Sequence, residues 1–63
     1  MKFKIISEDF PDGLNVDWPA VPGTGDCVSF KFKGGTSTLH VERVDWACDA
    51  DGGLIEVKVA ITY

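Results

Sequence analysis

Ser37-Thr38-Leu39-His40-Val41-Glu42-Arg43-Val44-Asp45-Trp46-Ala47-Cys48 decides the fold. Leu39 and Val41 alternate with polar neighbours, but Val44, Trp46 and Cys48 follow one residue out of phase. A period of two marks a half-buried strand, and a one-residue slip would turn its apolar set outward. Glu42 and Arg43 must therefore both face solvent, which is the signature of a β-bulge. Downstream, Ile55, Val57, Val59, Ile61 and Tyr63 alternate with Glu56, Lys58, Ala60 and Thr62. Upstream, Val28, Phe30 and Phe32 alternate with Ser29, Lys31 and Lys33. Fitting the bulge between these strands places Leu39 opposite Phe32 and Tyr63, Val41 opposite Phe30 and Ile61, and Val44 opposite Val28 and Val59. Trp46, in phase with Val44, is expected in the core. Gly34-Gly35-Thr36 and Asp49-Ala50-Asp51-Gly52-Gly53 supply the two hairpin turns.

Nearer the N-terminus, Phe3 and Ile5 alternate with Lys2 and Lys4, and Leu14, Val16 and Trp18 with Asn15 and Asp17. Pro19 and Pro22 then forbid regular central pairing. No window carries a 3.6-residue stripe. The expected fold is all-β: one domain over residues 1–63, a five-stranded antiparallel small barrel with its N-terminal strand beside its C-terminal one. Partial closure removes unpaired edges. A chain this short buries only about 60% of its unfolded surface, so its stability is marginal unless it is stapled or paired.

Val21-Pro22-Gly23-Thr24-Gly25-Asp26-Cys27-Val28-Ser29-Phe30, followed by Val41-Glu42-Arg43-Val44-Asp45-Trp46, resembles small SH3-like barrels. Many of these carry P-x-x-G-D-x-V where the chain starts a strand, then a V-x-x-V-x-W-like strand. The resemblance covers about half the chain and its parts are structural. It implies a fold and transfers no function.

Charge is distributed unevenly. Between Lys4 and Lys31 there is no Lys or Arg, while Glu8, Asp9, Asp12, Asp17 and Asp26 all lie there, with Phe10, Trp18 and all three prolines. An acidic, turn-rich, aromatic segment reads as a surface for a partner. The net charge of −4 argues against generic affinity for nucleic acid or anionic membrane, because counterion release needs clustered Lys and Arg. The opening residues carry an apolar run too short for an export signal, and no stretch reaches the ~20 apolar residues of a membrane span. Cytoplasmic location is the expectation.

The residues do not assemble a catalytic site. His40, the only histidine, alternates to the outer face, where no buried acid could orient it toward a nucleophile. Gly34-Gly35 joins strands rather than opening a helix, so no phosphate loop exists. Asp45, Asp49 and Asp51 loosely echo a calcium loop, but its terminal bidentate Glu is missing, and Asp and Gly suit a hairpin turn. Neither cofactor nor metal is expected. Cys27 and Cys48 are read as small buried or half-buried thiols, with a disulfide as the alternative.

The leading expectation is a non-enzymatic protein-binding module that presents Glu8, Asp9, Phe10, Asp12, Asp17, Trp18 and Asp26 to a basic protein surface. Trp18 either closes the core or, exposed, anchors that interface with Phe10. In size and acidity the chain is similar to small phage-encoded inhibitor proteins such as anti-CRISPRs, which implies a nucleic-acid-handling complex as partner. An alternative is a nucleic-acid-binding barrel using Lys31, Lys33 and Lys58 on the outer strand faces, joined by Lys2 and Lys4. A third reading is a structural subunit that assembles with itself or with a larger partner; the chain is expected as a monomer or homodimer.

Overall fold

In the computed structural model, which describes residues 1–63, the alternating segments form five strands: β1 (Lys2–Ile6), β2 (Leu14–Asp17), β3 (Cys27–Phe32), β4 (Gly35–Cys48) and β5 (Leu54–Thr62). They make one curled sheet in the order β2-β1-β5-β4-β3. β1 pairs with β5, as the sequence suggested, but the two run parallel, with Lys4, Ile5 and Ile6 opposite Lys58, Val59 and Ala60. The purely antiparallel expectation is thus corrected. The β2–β3 connection joins the two edge strands and carries the chain across the sheet face.

That connection, Trp18–Asp26, leaves β2 at the level of Lys2 and reaches β3 at the level of His40. It therefore climbs diagonally from one sheet edge to the other. At ~3.3 Å per residue an extended segment of this length reaches ~30 Å, enough to cross five strands spaced ~4.8 Å apart. Pro19 lies at a bend and Pro22 keeps the chain out of regular pairing before the turn at Thr24-Gly25. Trp18 and Val21 pack on the core beneath, and the Trp18 ring meets Phe3 edge-on with centroids 5.3 Å apart. The chain thus covers an open half-barrel with a strap.

The bulge lies where the phase slip put it. Val41 pairs with Ile61 and Arg43 with Ala60, leaving Glu42 as the extra residue, and Val44 pairs with Val59. The β3–β4 register differs from expectation. Lys33-Gly34 makes the turn, so Phe32 faces Gly35, Phe30 faces Ser37 and Val28 faces Leu39. Gly35 takes φ +148°, an angle that side-chain-bearing residues rarely adopt, so the strand begins at the glycine expected in the loop. The slip from the Leu39–Phe32 pairing is four residues. Being even, it leaves every side chain on its predicted face.

What the slip changes is the overlap. β4 pairs with β3 through Gly35–His40 and with β5 through His40–Cys48, sharing only His40 between them. The molecule is accordingly drawn out to 45 × 22 × 20 Å. Both overhangs carry apolar side chains that the alternation had assigned to the core. Trp46 is 55% exposed because no β3 residue lies beside it, and Phe32 (59%), Ile55 (68%) and Tyr63 (65%) are likewise uncovered at strand ends. The core shrinks to Phe3, Ile5, Val28, Leu39, Val41, Val57, Val59 and Ile61. Cys27 and Cys48, expected to be at least half-buried, are exposed free thiols. They sit on rungs with His40 and Leu54.

With so small a core, the strap matters. Trp18→Ala is expected to lower unfolding free energy by about 2 kcal/mol, part of the ~3–5 kcal/mol typical of a fully buried Trp, while Trp18→Phe keeps most of it. Denaturant midpoints of the two variants check this, and an unchanged Ala midpoint would mean that the strap does not seal the core.

Candidate functional site

At the end where β1 and β5 stop, the β3–β4 hairpin continues alone, and its core-face residues look across open space toward the β1–β2 loop. This loop is tightly folded: Ser7 and Phe10 exchange backbone hydrogen bonds of 3.1 and 3.4 Å, and Gly13 N–H donates to Phe10 O at 3.0 Å. The folding turns Phe10 inward against Phe30, with ring centroids 5.8 Å apart at 48°. Between loop and hairpin lies an open groove of about 350 Å³ with Phe10, Phe30, Phe32 and Leu39 as its apolar lining. Ser7, Asp9, Lys31 and Ser37 complete it. Tyr63 O–H donates to Asp9 Oδ2 at 3.1 Å, which ties the last residue to the rim. Ser7 Oγ is buried without a hydrogen-bond partner.

Sequence reasoning anticipated Asp9 and Phe10 here, but not Phe32, Tyr63 or Ser7. Phe32 and Tyr63 sit at strand ends, where alternation gives a face without guaranteeing a neighbour to cover it. Ser7 carries no sequence signal.

The predicted acidic surface is divided among three places. Glu8, Asp9 and Asp12 are exposed on the β1–β2 loop beside the groove. Asp17 lies at the far end of β2, ~13 Å along the strand, where its Oδ1 accepts from the Met1 amino group at 3.0 Å. Asp26 is spent on a turn, its Oδ2 accepting from Gly23 N–H at 2.8 Å. Trp18 is half-buried against Phe3 and so belongs more to the core than to a surface anchor.

The lysines of the alternative reading do not converge. Lys31 faces Thr36 near one end of β4 and Lys58 faces Asp45 near the other, so ~30 Å of strand separates them. Glu56 sits between Lys58 and Lys4, 3.7 and 3.5 Å from their Nζ atoms, and its single charge is shared between them. Lys33 occupies the hairpin turn. His40 is exposed on the outer face, and no three His, Cys, Asp or Glu side chains are grouped as a metal site. No helix is long and apolar enough to cross a membrane.

Asp49 has a local task. Its Oδ1 accepts from Asp51 N–H at 2.9 Å and Gly53 N–H at 2.8 Å, and a Cβ on Gly53 would fall 2.7 Å from its Oδ2. The carboxylate closes the β4–β5 turn. Asp49→Ala is expected to lose about 1 kcal/mol, while Asp49→Asn, which keeps an acceptor oxygen, loses less. Added calcium should leave both melting midpoints unchanged. A calcium-dependent rise would make the turn an ion site instead.

Comparison with known protein families, with characterised proteins and with solved structures finds no match.

Proposed function

We propose that this chain is a non-enzymatic protein-binding module whose contact surface is the aromatic groove and its acidic rim. The observation that carries this reading is the juxtaposition of exposed Phe32 and Tyr63 with Asp9, on a loop that also exposes Glu8 and Asp12, in a chain of net charge −4. An apolar anchor beside carboxylates suits a basic partner that contributes one apolar side chain to the groove. Burial of that anchor supplies affinity, and the carboxylates supply steering and orientation. Asp17, Trp18 and Asp26 then support the fold and lie outside the contact surface.

In its more specific form the partner is a nucleic-acid-handling complex, such as a CRISPR effector, met in a host cytoplasm by a phage-encoded inhibitor. Size and acidity support this form, through carboxylates that stand in for phosphates at Arg and Lys sites. The SH3-like likeness of Val21–Phe30 and Val41–Trp46 remains a proposal about fold.

Affinity capture from nuclease-treated lysate tests the reading, with wild type beside a Glu8/Asp9/Asp12→Lys triple variant and beside Phe32→Ser. The expected result is a basic protein retained by wild type and lost, by at least tenfold, from both variants. Retention by both variants at wild-type levels would refute the groove as the contact surface.

A further inference from the structure

The other overhang carries a second surface. From Glu42 to Cys48, β4 has β5 on one side and nothing on the other, because β3 begins opposite His40. The direction of its backbone groups there follows from the strand itself. Val41, on the core face, donates its N–H to Asp26 O at 2.8 Å and accepts from Gly25 N–H at 3.1 Å, so core-face residues of β4 point their backbone polar groups away from β5. Side-chain face and hydrogen-bond direction alternate together along a strand. Val44 and Trp46, which face Val59 and Val57, therefore present N–H and C=O groups to the unpaired edge. An open edge of this kind is a template for another strand.

We propose that the occupant is a second copy of this chain, paired antiparallel through Glu42–Cys48 about a two-fold axis at Asp45. Backbone already in use sets the register. His40 lies opposite Cys27 of β3 and Val41 is hydrogen-bonded to the strap, so that side of β4 is occupied and a partner strand cannot extend past Glu42. An axis at Val44 would drive the partner's Ala47 and Cys48 onto that occupied stretch, whereas an axis at Asp45 fits the free segment end to end. In this register Val44 lies opposite the partner's Trp46 and exchanges both hydrogen bonds with it, and the two-fold repeats the pair. Each Trp46, 55% exposed in the single chain, then covers a Val44 that the single chain leaves half-buried.

On the outer face, Asp45 meets the partner's Asp45. Each already accepts from its own Arg43 Nε at 3.1 Å, and the register sets Arg43 diagonal to the partner's Asp45. Two arginines and two aspartates form a neutral cluster, with cross-strand and diagonal neighbours both within reach. The other unpaired stretch of β4, toward Gly35, carries Thr36, Ser37 and Thr38 and offers no comparable apolar gain. With eight buried residues of 63, the chain has much to gain from pairing.

Sedimentation equilibrium up to millimolar concentration tests the pairing, with cross-linking to test the register. Wild type is expected to approach twice the 6.8 kDa chain mass with rising concentration, and Trp46→Lys to remain at the single-chain mass with an unchanged circular dichroism spectrum. In a Cys27→Ser/Cys48→Ser background, Asp45→Cys should form a disulfide-linked dimer under mild oxidation and Ala47→Cys should not. The non-hydrogen-bonded Asp45 pair lies ~4.5 Å apart at Cα, within the ~4.4–6.8 Å that a disulfide spans. A single-chain mass at every concentration, a dimer retained by Trp46→Lys, or equal cross-linking at both positions would overturn the proposal.

Discussion

The two hydrogen bonds that Val41 exchanges with Gly25 and Asp26 stand where β4 changes partner, and much of the molecule depends on them. Below this point β4 belongs to β5, above it to β3, and the strap arrives at the junction between them. Without that tie the strap would be held by Trp18 and Val21 at its start and would join β3 without a backbone anchor. The bulge at Glu42 lies just past this junction, inside the β4–β5 pairing, and keeps Val44 on the core side with Leu39 and Val41. Curling, the offset hairpins and the 45 Å length are consequences of this divided pairing.

Stability is correspondingly thin. Ile5, Val41, Val57 and Val59 are fully enclosed, and the remaining core residues sit close to the surface. The ion pairs add little, since all four join side chains in contact with water, where a pair contributes roughly 0–1 kcal/mol. Apolar burial under the strap therefore dominates, and the acidic, proline-bearing segment is first a structural element. Its carboxylates are spread along it instead of gathered. Only Glu8, Asp9 and Asp12 remain together, beside an aromatic groove that gives them something to act with.

Strand identities were legible in the sequence because alternation reports which face is buried. The bulge was legible for the same reason, through the mismatch between Val41 and Val44. Register was less legible. Lys33, Gly34, Gly35 and Thr36 let the turn sit two residues earlier or later, and the four-residue slip that follows changes no face. That slip removes the cover from Trp46 and Phe32, so the exposed aromatics at both ends could not be foreseen. The parallel β1–β5 pair was hidden as well, since side-chain pattern carries no strand direction. Of the candidate site, Asp9 and Phe10 were readable as part of an acidic aromatic stretch. Tyr63 reaches Asp9 only through folding, from the opposite end of the chain.

The register of β4 against β3 is the claim on which groove, strap and free edge all rest. Cross-strand proton contacts in the folded protein test it most directly. This register requires a close Hα–Hα contact between Ser29 and Thr38, whose hydroxyl oxygens lie 3.0 Å apart, together with backbone proximity of Phe32 and Gly35. A Ser29–Glu42 contact, with Phe32 beside Leu39, would contradict it and return Trp46 to the shelter of β3.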